Sequence, residues 1–117
     1  MSHERADKLH AWRSSVAKAA RETLGGLGIP ADWLRVETLS GVQSDRREGL
    51  HVQFVVHAGG ERLLARHDDI EQSFVRALRQ ADPRSTQWLM TRSWVFAPGC
   101  GLPTHREDWV LETTSVK

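Results

Sequence analysis

Apolar residues recur at spacings of three and four from about Arg5 to Leu24, where Leu9, Trp12, Val16, Ala20 and Leu24 share one helical face, and Lys8, Arg13, Lys18 and Arg21 fall mostly elsewhere. This predicts a first helix that stops in Gly25-Gly26-Leu27-Gly28-Ile29-Pro30, since glycine supplies a left-handed closing conformation and proline cannot continue the ladder. The period then changes to two. Trp33 to Ser40 sets Leu34, Val36 and Thr38 against Trp33, Arg35, Glu37 and Leu39, and after a polar loop from Gly41 to Gly49 the stretch Leu50 to Ala58 sets Leu50, Val52, Phe54 and Val56 against His51, Gln53, Val55 and His57. Both read as strands, the second with an evident core face.

Ala58-Gly59-Gly60-Glu61 resembles a hairpin turn, so Glu61 to Arg66 is expected as a short third strand returning antiparallel to the second. Asp68 followed by Glu71 has the spacing of a capping box. A second helix is expected from about Asp69 to Ala81, with Ile70, Phe74, Ala77 and Leu78 as its apolar stripe and Asp82-Pro83 as its stop. Gln87 to Ala97, rich in Trp, Val and Phe, reads as a last long strand. Asp108 to Thr114 reads as a tail, with an added edge strand as the alternative.

The expected architecture is therefore α+β, with two helices packed on one face of a mainly antiparallel sheet of three to five strands, in the order α-β-β-(β)-α-β. Residues 1–97 form a single α+β domain in this reading, and 98–117 a C-terminal loop or tail or the added edge strand. The length of 117 residues suits one domain with one core. A hydrophobic fraction of 39% and a charged fraction of 26% place the chain among globular proteins, so the periodicities can be read as packed elements.

Sixteen basic and fifteen acidic residues leave a net charge of +1, which gives no global field for nucleic acid or an anionic membrane. Arg outnumbers Lys thirteen to three, and because the arginines are dispersed this reads as codon bias in a GC-rich, bacterial-type genome. The first eighteen residues lack the apolar stretch of a secretory signal, and no run approaches the ~20 apolar residues of a membrane span, so the cytoplasm is the default address. With Cys100 as the single cysteine, neither an intramolecular disulfide nor a multi-cysteine zinc site is expected.

Two helices cover only one face of a sheet, and function is sought on the other. The candidate interaction face comprises Trp33, Arg35, His51, Gln53, His57, Trp88, Arg92 and Trp94. The last three belong to it only if the final strand turns its Trp side outward; in the alternative those rings are core and Leu89, Thr91, Ser93 and Val95 are exposed. His51 and His57 lie ~20 Å apart on an extended strand, too far to share a metal. His67 beside Asp68 and Asp69 imitates a general base with its carboxylates but reads as helix capping. Cys100, flanked by glycines in a loop expected to be exposed, lacks an activating histidine pattern. Gly25-Gly26-Leu27-Gly28 has the GxxG spacing of KH loops, yet it follows a helix, leads to a strand and holds no basic residue, so it reads as helix termination. Phosphate loops, dinucleotide fingerprints and nucleophile elbows are missing from the sequence, and neither a cofactor nor a metal is expected.

The first functional expectation is a non-enzymatic module that buries its open sheet face against another protein or a second copy, with Trp94 and Trp88 as anchors. Next stands single-stranded nucleic acid on the same face, stacked on Trp33, Trp88 or Trp94 and neutralised by Arg35 and Arg92. A small enzyme centred on His51, His57 or Cys100 ranks last, because the sequence places no two of these together.

Overall fold

A computed structural model describes residues 2–101 and 109–113. The chain folds as helix α1 (Ser2–Leu27), strands β1 (Leu34–Val42) and β2 (Glu48–Val56), helices α2 (Gly60–Ala65), α3 (His67–Ala81) and α4 (Ser85–Trp88), then strands β3 (Leu89–Phe96) and β4 (Trp109–Thr113). The expected tail falls partly on residues 102–108 and 114–117, which lie outside the described residues. In the sheet, β1 and β2 pair antiparallel, β2 and β3 parallel, and β3 and β4 antiparallel, in the order β1-β2-β3-β4. The molecule belongs to the α+β class, with its helices packed against a mixed sheet.

Helix α1 stops at Leu27, inside the expected Gly25 to Pro30 segment. Ile29 N–H donates to Leu24 O at 2.9 Å and Gly28 N–H to Gly25 O at 3.4 Å, while Gly28 takes φ 69. This double closure satisfies two of the final carbonyls, and it needs the left-handed residue at Gly28 rather than at Gly25 or Gly26. Val16 and Ala19 are sealed in the core, with Leu9, Trp12, Ala20 and Leu24 packed against it.

The expected third strand is helix α2 instead. On a strand the adjacent Leu63 and Leu64 would point to opposite faces, whereas about 100° of helical rotation leaves both against the core. Gly59, at φ 64, precedes the helix and accepts the Leu63 N–H at 2.9 Å. The hairpin reading fails for a second reason: β3 runs parallel to β2, and parallel neighbours require a crossover, here α2 through α4. At Gly59 an added Cβ would lie 2.2 Å from Trp33 Cε3, so glycine is required there by packing as well as by its backbone.

Helix α3 buries the expected stripe of Ile70, Phe74, Ala77 and Leu78. Its capping differs from expectation. Arg66 occupies the N-cap with no side-chain cap bond, and Glu71, the supposed partner in the box, is only 6% exposed, with its carboxylate turned into the protein. One Glu71 oxygen accepts from Arg92 Nε and the other from Trp94 Nε1, each at 2.8 Å. His67 Nδ1 lies 2.8 Å from Leu64 O and its Nε2 3.3 Å from Asp68.

A one-residue bulge decides the orientation of β3. Leu50 pairs with Leu89 but His51 with Thr91, so Met90 is an extra residue in the strand. Strict alternation from the core-packed Leu89 would have sent Arg92, Trp94 and Phe96 outward. The bulge reverses the parity: Val52, Phe54 and Val56 stand beside Arg92, Trp94 and Phe96 on the helix side. There Trp94 is 0% exposed and stacks on Phe54 at 4.7 Å, and Phe54 meets Phe74 of α3 edge-on at 5.3 Å.

Gln87 and Trp88 precede the strand rather than start it. Asp82 accepts Trp88 Nε1 at 2.9 Å and the Arg84 N–H at 2.9 Å, and the Trp88 ring stacks on Trp12 at 5.1 Å. These contacts hold Trp88 in α4, 3% exposed.

Cys100 also departs from expectation. It is 4% exposed in the core cluster, its N–H donates to Ala97 O at 3.1 Å and its carbonyl accepts the Gly60 N–H at 2.7 Å. A thiol sealed in this way reacts only when the loop opens. Alkylation of the native protein by iodoacetamide is therefore expected to run on the order of 100-fold slower than in urea; comparable rates would show that the loop is not packed.

Candidate functional site

The bulge divides the eight candidate residues. Arg35, His51 and Gln53 lie on the sheet face away from the helices. Trp33 and His57 mark one end of it: His57 N–H donates to Trp33 O at 2.7 Å, and the Trp33 ring packs against the core over Gly59. Trp88, Arg92 and Trp94 are on the helix side, which corrects the expectation that they could serve as outward anchors. For Arg92 and Trp94 the cause is the extra residue Met90, whose insertion turns the aromatic side of β3 inward, whereas Trp88 is held in α4 before the strand.

The face that remains is built in rows across the strands. Arg35, Val55 and Val95 form one row, Glu37, Gln53 and Ser93 the next, and Leu39, His51 and Thr91 a third. His51 Nδ1 lies 2.6 Å from Thr91 Oγ1, which orients the ring along the row. Beyond it the Met90 thioether lies over the paired Gly41 and Gly49, where an added Cβ at Gly49 would come 2.8 Å from its sulfur. These glycines leave the room that the bulged Met90 occupies.

Chemically, the middle of this face is uniform. The residues that β2 and β3 contribute, His51, Gln53, Val55, Met90, Thr91, Ser93 and Val95, include no Lys, Arg, Asp or Glu, and all are half-buried. Charge appears on the edge strand, where Arg35 Nη1 meets Glu37 Oε2 at 3.9 Å. Leu39, 53% exposed, adds apolar surface beside it. Thr91, Ser93 and Val95 join the face as the alternative reading of the last strand expects, and the bulge takes Leu89 out of that set.

A second feature lies at the β1–β2 turn. A groove of about 690 Å³ is lined by Lys8 and Trp12 of α1, Gln43, Arg46, Arg47 and Glu48 of the hairpin, and Asp82, Arg84, Gln87 and Trp88 around α4. Gln43 fixes the turn: its backbone N–H donates to Arg47 O at 2.7 Å, and its side-chain amide donates to Glu48 O at 3.0 Å and Gln87 O at 3.1 Å. Asp45 accepts the Arg47 N–H at 3.1 Å and its Nε at 2.6 Å, and this backbone bond, with the guanidinium, holds the Asp45 carboxyl below the usual carboxylate range. Arg46 takes φ 72 in the three-residue loop, a left-handed position at which a side chain costs about 1 kcal/mol and which glycine ordinarily fills.

Among the described residues no cluster of His, Cys, Asp and Glu could hold a metal ion, and no helix is long and apolar enough to cross a membrane. Fold and face together define an α+β domain whose sheet is covered by helices on one side and, over β2 and β3, presents on the other a surface without Lys, Arg, Asp or Glu. The chain matches no protein-family model, no curated protein and no solved structure.

Proposed function

We propose that the protein is a non-enzymatic self-association module whose open sheet face docks on the same face of a second copy. The observation that carries this is the uncharged centre of that face, because interface cores are depleted in charge and enriched in adaptable groups such as Met, here Met90 over its glycine pair. A second copy suits it better than an unlike partner. The β1 edge carries one cation and one anion, Arg35 and Glu37, so a two-fold axis passing between them sets each charge of one copy against its opposite in the other.

Three strands of eight or nine residues and the five-residue β4 give the face at most roughly 30 Å by 19 Å, somewhat below the ~800 Å² per partner of a standard stable complex and of the size of a weaker, reversible one. Single-stranded nucleic acid is less well served on this surface. It needs stacking rings and unopposed cations, whereas Trp88 and Trp94 are turned inward and the cation Arg35 faces Glu37.

Val95→Lys tests the reading, since it puts a charge into the centre of the face without touching the core. Association is expected to weaken on the order of 100-fold, with the circular-dichroism spectrum and urea midpoint close to wild type. Light scattering after size exclusion reads the mass. A Val95→Lys variant that associates as strongly as wild type would contradict the proposal.

A further inference from the structure

We infer that the groove at the β1–β2 turn is a second binding site, independent of the sheet face, for a phosphate ester that carries a planar ring, that is, a nucleotide. Three separate segments bring cations to it: Lys8 from α1, Arg46 and Arg47 from the hairpin turn, and Arg84 from the loop before α4. Against them stand the Trp12 and Trp88 rings, stacked at 5.1 Å and 14°. Trp12 keeps partial exposure, and the Lys8 ammonium lies over its ring at 5.8 Å. Guanidinium forks match phosphate oxygens, and a half-exposed indole offers a planar base a place to stack. The volume of about 690 Å³ falls in the range of small-molecule sites.

The turn itself points to a ligand. Its three-residue loop is closed by the Arg46 N–H donating to Gln43 O at 2.9 Å, and the residue at its left-handed position is Arg46, with φ 72. Glycine would satisfy that backbone without strain, so folding alone gives no reason for arginine there. A cation at the lip of a groove gives one: residues kept in disfavoured backbone regions concentrate at ligand-binding positions. Of the carboxylates nearby, Asp45 is engaged by Arg47 and Asp82 by Trp88 Nε1 and the Arg84 N–H, and Glu48 is the further acidic residue of the lining.

The test separates binding from folding through Arg46→Gly, which relieves the backbone and removes the cation. Titration calorimetry at low salt uses ATP, tripolyphosphate and a short oligothymidylate as probes. ATP is expected to bind more tightly than tripolyphosphate and to weaken as salt rises. Arg46→Gly is expected to lower ATP affinity about tenfold with a urea midpoint no lower than wild type, and Arg84→Ala to lower affinity similarly. Binding of the oligothymidylate but not of ATP supports the same site with the nucleotide presented within a strand. The inference is overturned if neither ATP nor the oligonucleotide binds at ~1 mM, if tripolyphosphate binds as tightly as ATP, or if Arg46→Gly binds as wild type does. Because the readout is ligand affinity, these failures leave the sheet-face proposal untouched.

Discussion

Replacing Trp94 by alanine is expected to destabilise the protein by about 3–5 kcal/mol, read as a lowered urea midpoint with little change in slope. The side chain is fully buried, stacked on Phe54 at 4.7 Å and beside Phe96 at 6.1 Å, and it donates Nε1–H to Glu71. Truncation opens a cavity between the sheet and α3 and removes a buried donor to a carboxylate. Domains have only about 5–15 kcal/mol of stability in all, so a loss of this size is a large share of the total. A loss below about 1 kcal/mol would mean that Trp94 faces solvent and that the Met90 bulge does not form.

Glu71→Ala is expected to cost as much, about 3–5 kcal/mol, through a different mechanism. The Glu71 and Arg92 side chains are 8% and 14% exposed, and one carboxylate joins Arg92 Nε to Trp94 Nε1. Removing it leaves a cation nearly out of water and deprives the indole N–H of its acceptor. The loss is therefore expected to shrink when Arg92→Met is added, because the double variant no longer buries the guanidinium that the Glu71 carboxylate balances. Urea unfolding of the two single variants and the double variant measures the coupling. Strict additivity would show that the carboxylate and the guanidinium act independently.

Where one period held over a whole element, the pattern of the chain was sufficient. The alternation of β2 and the α3 stripe of Ile70, Phe74 and Leu78 bury the residues that their spacing selects, and the α1 stripe buries Val16 and packs Leu9, Trp12, Ala20 and Leu24 partly buried against the core. The failures have local causes. In β3 both Leu89 and Trp94 are apolar and five positions apart, an odd separation that no regular strand can place on one face; only the bulge at Met90 reconciles them. Gly59-Gly60 has the composition of a hairpin turn, and its role as the lead into a helix follows from Leu63 and Leu64 sharing a side. Glu71 fits a capping box by spacing, but the buried guanidinium and indole that claim it come from twenty-one and twenty-three residues away.

Candidate sites were legible to the same degree. Alternation alone placed Arg35, His51 and Gln53 on the open face. Alternation left open which side of the last strand turns inward; the inserted Met90 sets Arg92 and Trp94 on the helix side with Thr91, Ser93 and Val95 on the open face, and Trp88 lies before the strand in α4. The groove joins Lys8, Arg46 and Arg84, residues distant in sequence that only the folded chain brings together. Its one local signal was an arginine where a three-residue hairpin loop prefers glycine.

The division of the sheet into a sealed side and a docking side is tested most directly by sedimentation equilibrium of the wild-type protein over a concentration series. The account predicts a weight-average mass that rises from near 13.2 kDa towards twice that value. A mass that stays at 13.2 kDa up to concentrations on the order of 1 mM, weaker than any specific dimer worth the name, would contradict it.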